Sequence, residues 1–159
     1  MQLAYRCDFA APAEIVWQVL LDPAVLARRL PGCKRLEPLG GGIYEAQLEI
    51  GIGPVKGSYT GRVQLADLSP PRSYRLLVEG GGGPSYVKGE GRIELSPNGE
   101  ATVMTCTGEA AVSGILAAVG QRLLSSAARV LIASFFDGMA QEVIARRDAA
   151  SGRGSVASV

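Results

Sequence analysis

The sequence predicts an α+β domain: a seven-stranded antiparallel sheet, two short helices after the first strand, and one long helix at the C-terminal end. Three observations carry this. Residues 34–112 fall into runs of alternating apolar and polar side chains separated by short Gly- and Pro-rich turns, the pattern of an antiparallel meander. A helical stretch interrupts the chain before that meander, and apolar residues recur at spacings of three and four across 113–147 after it.

The elements follow in order. "QLAYRCDF" alternates and reads as the first strand. "APAEIVWQVLLDPAVLARRLPGC" holds two short helices. Pro12 stands near the first residue of one, with Val16, Trp17 and Leu20 on its apolar face; Asp22 caps the other, Pro23 follows it, and Pro31-Gly32 ends it. The next strands are expected at 34–38, 42–50, 54–66, 73–80, 86–96 and 100–112. The long helix over 113–147 presents Gly120, Leu124, Ala127, Leu131, Phe135 and Gly138 on one face, with Leu116 and Ser134 beside it and Arg122 and Arg129 opposite. Residues 1–147 form the domain, and the small, polar stretch 148–159 is expected as a flexible tail.

"GIGPVKGSYTG" (51–61) keeps strand alternation although glycine weakens strands. A hairpin closing on "GIGP", with Ile50 opposite Val55, sets Leu48 opposite Gly57, Ala46 opposite Tyr59 and Tyr44 opposite Gly61. Glu45 and Glu49 then fall on the other, wet face with Lys56, Thr60 and Arg62. Glycines on the inner face bend the sheet, and leave room above it for a side chain or a guest. Met104 shares a face with Thr102, Cys106 and Gly108.

A net charge of +1 gives no reason to expect nucleic acid as partner. No apolar run reaches the ~18–20 residues of a membrane span, and the start lacks the features of a signal peptide, so a cytoplasmic protein is expected. The chain has no histidine, which excludes Ser-His-Asp and Cys-His catalysis and His-ligated metal. Cys7, Cys33 and Cys106 form no CxxC pair, and neither cofactor nor metal is expected. Lys88, Glu90, Arg92 and Glu94 read as a solvated sheet face, and "GGGGP" (80–84) as a hairpin turn or cavity lid rather than a phosphate loop. Ile132, Phe136, Met139 and Val143 form a second apolar stripe on the long helix, expected against a second copy or a partner enzyme unless the first strand and short helices cover it.

The segments "VWQVLLDPAVLARRLPGC", "GIGPVKGSYTGRVQLADLSPPRSYRL", "VKGEGRIEL" and "GILAAVGQRLLSSAARVLIASFF" resemble the carbon monoxide dehydrogenase G-subunit family, within the START/Bet v 1-like (SRPBCC) superfamily. The resemblance implies a helix-grip fold, in which the sheet wraps around the C-terminal helix over an apolar cavity. It implies an accessory protein of a molybdenum hydroxylase, linked to membrane recruitment or to a lipophilic electron acceptor such as a quinone. Some relatives reach the membrane through a C-terminal extension; residues 148–159 carry no apolar segment.

The combined reading is a non-enzymatic protein that binds a quinone or lipid, has molybdenum hydroxylase subunits as partners, and leaves peripheral membrane association and a homodimer open. Its expected ligand-binding residues are Tyr44, Leu48, Gly57, Tyr59, Gly61, Met104, Gly120, Leu124, Leu131 and Phe135, with a tyrosine hydroxyl orienting a ligand oxygen. The alternatives are an enzyme of the same fold, such as a cyclase, hydratase or lyase, and a protein–protein adaptor with a filled core.

Overall fold

The computed structural model describes residues 1–157, with side chains to Gly152. The chain runs β1 (Gln2–Phe9), α1 (Ala13–Leu20), α2 (Pro23–Arg29), β2 (Cys33–Gly40), β3 (Ile43–Ile50), β4 (Gly57–Ser69), β5 (Ser73–Gly82), β6 (Ser85–Asn98), β7 (Ala101–Ser113) and α3 (Gln121–Ala157). One antiparallel sheet has the order β1-β7-β6-β5-β4-β3-β2, so the meander is continuous and β1 closes beside β7. Short 3-10 turns, Gly53–Val55 and Gly114–Val119, precede β4 and α3.

Local chemistry sets the boundaries. The Asp22 side chain accepts the Ala24 N–H at 3.0 Å and caps α2, with Pro23 next. Pro12 is itself the residue before α1 rather than its first residue. Gly32, at φ +67, stands where a Cβ would lie 1.9 Å from the Glu49 carbonyl oxygen, so the "LPGC" turn has room only for glycine. The long helix begins at Gln121, not near Ser113, because Gly114–Val119 winds as 3-10 and Gly120 at φ +97 breaks the path. Its backbone continues to Ala157, across most of the expected tail; the remainder of 148–159 lies outside the described residues.

The β3–β4 register differs from expectation by two residues. Leu48 pairs with Tyr59, Ala46 with Gly61, Tyr44 with Val63, and Ile50 with Gly57. The loop is longer than a tight hairpin because Gly53–Val55 forms a full 3-10 turn. A shift of two keeps every side chain on its face. Glu45 stays outside, 3.7 Å from Arg62, whereas Glu49 pairs with Lys34 at 3.8 Å instead of Lys56.

The main core gathers β1, α1, α2, the near halves of β4–β7, and one side of α3: Phe9, Val16, Val19, Leu20, Val25, Ile93, Met104, Phe136, Met139 and Val143 are all buried. Trp17 meets the Tyr74 ring edge-on at 5.5 Å. The second stripe of α3 is therefore core. Phe136 is 4% exposed and stacks on Tyr5 at 5.4 Å, so β1, α1 and α2 cover it and it is no interface. Gly138 faces α2 rather than the sheet, since a Cβ there would meet the Arg29 side chain at 2.8 Å. By length and mean hydropathy α3 could cross a bilayer, contrary to the expectation that no segment could; one stripe of it, Phe136, Met139 and Val143, is buried in the main core. The three thiols are half-buried.

Candidate functional site

Period two puts one set of β3–β7 side chains on the face toward α3. Three neighbouring rows of that face have few side chains. They run Ala46–Gly61–Gly80–Val87–Val112, Tyr44–Val63–Val78–Gly89–Ala110, and Leu65–Leu76–Gly91–Gly108–Leu3. Five of these positions are glycine. At Gly80, Gly89 and Gly108 the strands approach so closely that a side chain would collide with backbone. A Cβ at Gly80 would lie 2.6 Å from the Gly61 Cα, and one at Gly108 would lie 2.7 Å from the Glu90 carbonyl oxygen. The glycines thus bend the sheet, and in doing so leave a bare floor.

Above that floor the interior is not continuous. The main core ends at Tyr44, Val63, Leu76 and Phe135. A second apolar cluster, Ile50, Val55, Leu116, Leu124 and Ala127, closes the other end, with Leu48, Tyr59 and Leu131 packed on it. The α3 backbone runs closest to β1, α1, α2 and the 3-10 turns, and its side chains join both clusters. Val78, on the floor between the clusters, belongs to neither and is 39% exposed although it faces inward.

The expected site residues distribute over this arrangement. Gly61 is on the floor; Tyr44 and Phe135 border the main core; Leu48, Tyr59, Leu124 and Leu131 belong to the second cluster. They divide between two apolar clusters instead of meeting in one shared wall. Gly57 and Tyr59 line a pocket of about 320 Å³ beside the second cluster. Two expectations fail. Met104 is 0% exposed and packs inside the main core, because its strand position lies beyond the bare rows. Gly120 precedes α3, is exposed, and has open space where a Cβ would stand. The Tyr59 hydroxyl donates to the Val55 carbonyl at 2.8 Å, so its proton is committed within the protein. Val78, Gly80, Gly89, Gly91 and Gly108 stand on this floor and are not among the expected site residues; the alternation of "YVKGEGRIEL" puts Gly89 and Gly91 in phase with buried Ile93 and Leu95.

The outer face has another character. A broader, open depression of about 740 Å³ is lined by Arg62, Glu79, Lys88, Glu90 and Glu109 of that face and also by Val78, Gly89 and Ala110 of the middle floor row. Arg75 pairs with Asp67 at 2.9 Å and Glu90 at 3.0 Å, and Arg92 with Glu94 at 3.0 Å, all solvated. At the inner edge, burial above all, with Asp8 and Asp137, pushes the Cys7 thiol up to about 11, and burial also raises Cys106, so both stay protonated near neutral pH. Among the described residues no group of His, Cys, Asp or Glu could hold a metal.

A seven-stranded antiparallel sheet facing one long C-terminal helix, with paired short helices after the first strand, defines a START/Bet v 1-like helix-grip domain. Solved structures agree. A START superfamily protein from Mycobacterium smegmatis matches with a TM-score of 0.71 at 15% identity, over 89% of this chain and 96% of that one. The Zhui aromatase/cyclase from a Streptomyces species matches at 0.66 and 20% identity, over 94% and 97%. At those identities the likeness shows the fold alone. A conserved protein from Geobacillus kaustophilus is 41% identical, with a TM-score of 0.88 over 91% of this chain and 95% of that one. No curated protein matches. The chain belongs to the carbon monoxide dehydrogenase G-subunit (CoxG) family, whose pattern matches residues 6–144.

Proposed function

We propose that this protein is a non-enzymatic accessory factor of a molybdenum hydroxylase of the carbon monoxide dehydrogenase type, and that it carries a quinone or lipid in the gap between α3 and the glycine floor. One observation carries the reading: apolar Val78, in register with Val63 and Gly89 on the face toward α3, is 39% exposed and belongs to neither apolar cluster. An apolar ligand filling that space would contribute about 25 cal/mol per Å² of apolar surface withdrawn from water. Tyr44, with its ring at the border of the gap, would orient a ligand oxygen through its hydroxyl. Support against catalysis comes from the strand carboxylates: Glu45, Glu49, Glu79, Glu90, Glu94 and Glu109 occupy the face away from α3. The setting proposed is cytoplasmic, beside the enzyme and with access to the membrane that holds such ligands.

The test is gentle purification followed by native mass spectrometry and organic extraction, together with a pull-down of hydroxylase subunits. A co-purified quinone or lipid in one-to-one complex, and capture of the subunits, are expected. Protein that emerges free of ligand and binds no added quinone would reject the carrier reading and leave the adaptor.

A further inference from the structure

The two edges of the sheet are built differently. β2 carries Pro38 and two breaks in its pairing with β3, between Cys33 and Arg35 and between Pro38 and Gly40. Proline and bulges are among the devices by which an edge strand avoids pairing with another chain. β1 has neither: all of its residues keep one register with β7. Met1 and Ala110 exchange both backbone hydrogen bonds, at 2.9 Å and 2.8 Å. Alternation along an antiparallel ladder then bonds the odd-numbered residues to β7, and turns the N–H and C=O groups of Gln2, Ala4, Arg6 and Asp8 to the free edge. Among the described residues no backbone hydrogen bond from another element reaches those four, and their side chains are exposed. α3 packs on the inner face of β1, where Phe136 stacks on Tyr5. We infer that this edge pairs with the same edge of a second copy, joining two seven-stranded sheets into one.

Charge selects both the occupant and the register. Among the described residues neither Arg6 nor Asp8 has an ion pair of its own. Two-fold antiparallel pairing sets edge-facing residues opposite one another. With the axis at Arg6, the two arginines stand face to face. With the axis at Tyr5, Arg6 stands opposite Ala4 and Asp8 opposite Gln2. With the axis at Cys7, Arg6 of each copy stands opposite Asp8 of the other, and two ion pairs form on the outer face. The strand is its own complement in charge as well as in hydrogen bonding. The new ladder covers residues 5–9 of each copy. It ends there because the Ala10 carbonyl already accepts from Arg147 Nη1 at 2.8 Å. A strand from another protein would have to supply the acid–base order that this chain already carries.

The experiment is sedimentation equilibrium of the full chain up to about 200 µM protomer, since such association depends on concentration. The parent should be a mixture of monomer and dimer. Arg6→Asp and Asp8→Arg each turn two attractive pairs into two repulsive ones, and each should weaken the dimer about tenfold or more. The double variant Arg6→Asp/Asp8→Arg rebuilds both pairs in reverse and should return to within about threefold of the parent. Hydrogen exchange of the parent needs no substitution: the amides of Arg6 and Asp8 should slow as protein concentration rises, while those of β2 do not change. A parent that stays monomeric overturns the inference. A dimer that both single variants keep, or one whose Arg6 and Asp8 amides exchange as in the monomer, overturns it too, because the contact then lies elsewhere.

Discussion

Position 80 shows how one missing side chain shapes this domain. A Cβ there would lie 2.6 Å from both the Gly61 Cα and the Thr60 carbonyl oxygen, and neither is a flexible side-chain end. Gly80→Ala should therefore cost about 1–3 kcal/mol, as forced backbone shifts do. Gly51→Ala, with nothing within 4 Å of its Cβ, should stay within about 0.5 kcal/mol of the parent. Urea melts of the two variants decide it, and equal losses would show that strand approach is not what glycine serves here. Glu142 works differently. It accepts from Arg28 at 2.8 Å and Arg29 at 2.9 Å, and these guanidinium groups hold its carboxyl down to about 2. A folded-state pKa below the unfolded one gives stability that is present above the unfolded value and lost as pH falls toward the folded one. Between pH 5 and pH 2 the parent should thus lose more stability than Glu142→Gln, which has no charge to lose; parallel curves would contradict the pairing. Such residues were legible unevenly. Asp22 announced its cap by type and spacing, whereas Arg28, Arg29 and Glu142 meet only after α2 and α3 are packed.

At the scale of elements, local chemistry carried far and long-range pairing did not. Alternation placed Tyr44, Leu48, Tyr59 and Gly61 on the face toward α3, and that holds because a two-residue slip preserves parity. The slip arose because turn residues do not reveal how many of them a loop consumes, and Gly53–Val55 consumed a full 3-10 turn. The same limit hid the start of α3: the apolar spacing of 113–120 suits either helix type, and only the backbone at Gly120 separates them. The second stripe of α3 shows what periodicity omits. It reports that Phe136, Met139 and Val143 are apolar on one side, but not that β1 and α1 return to cover them. Phe136→Ala should cost about 3–5 kcal/mol in a denaturant melt, the range for emptying a large core site. Phe136→Glu should not fold. A variant that keeps the parent melting temperature would return the stripe to the surface.

At the scale of the whole molecule, the two apolar clusters are the central fact. A domain of this size ordinarily forms one contiguous core with smaller satellite clusters beside it. Here a cluster of fifteen buried residues and a smaller one of five share α3, and five glycines stand on the sheet face turned toward that helix. The sequence showed the fold almost whole, because order of elements and turn chemistry suffice for an antiparallel meander with a terminal helix. The site was legible only in part. Met104 and Val78 carry the same apolar, inward signal, yet Met104 is 0% and Val78 39% exposed, a difference set by long-range packing that no local pattern encodes.

The central claim is that the gap receives a hydrophobic ligand, and Val78→Trp tests it most directly. The indole would fill the space from a side chain that packs in neither cluster, leaving both clusters and the strand register intact. The measurement is native mass spectrometry of parent and variant titrated with decylubiquinone, with circular dichroism confirming that both are folded. The account predicts a one-to-one complex for the parent and none for folded Val78→Trp. A folded variant that binds the quinone as the parent does would contradict it.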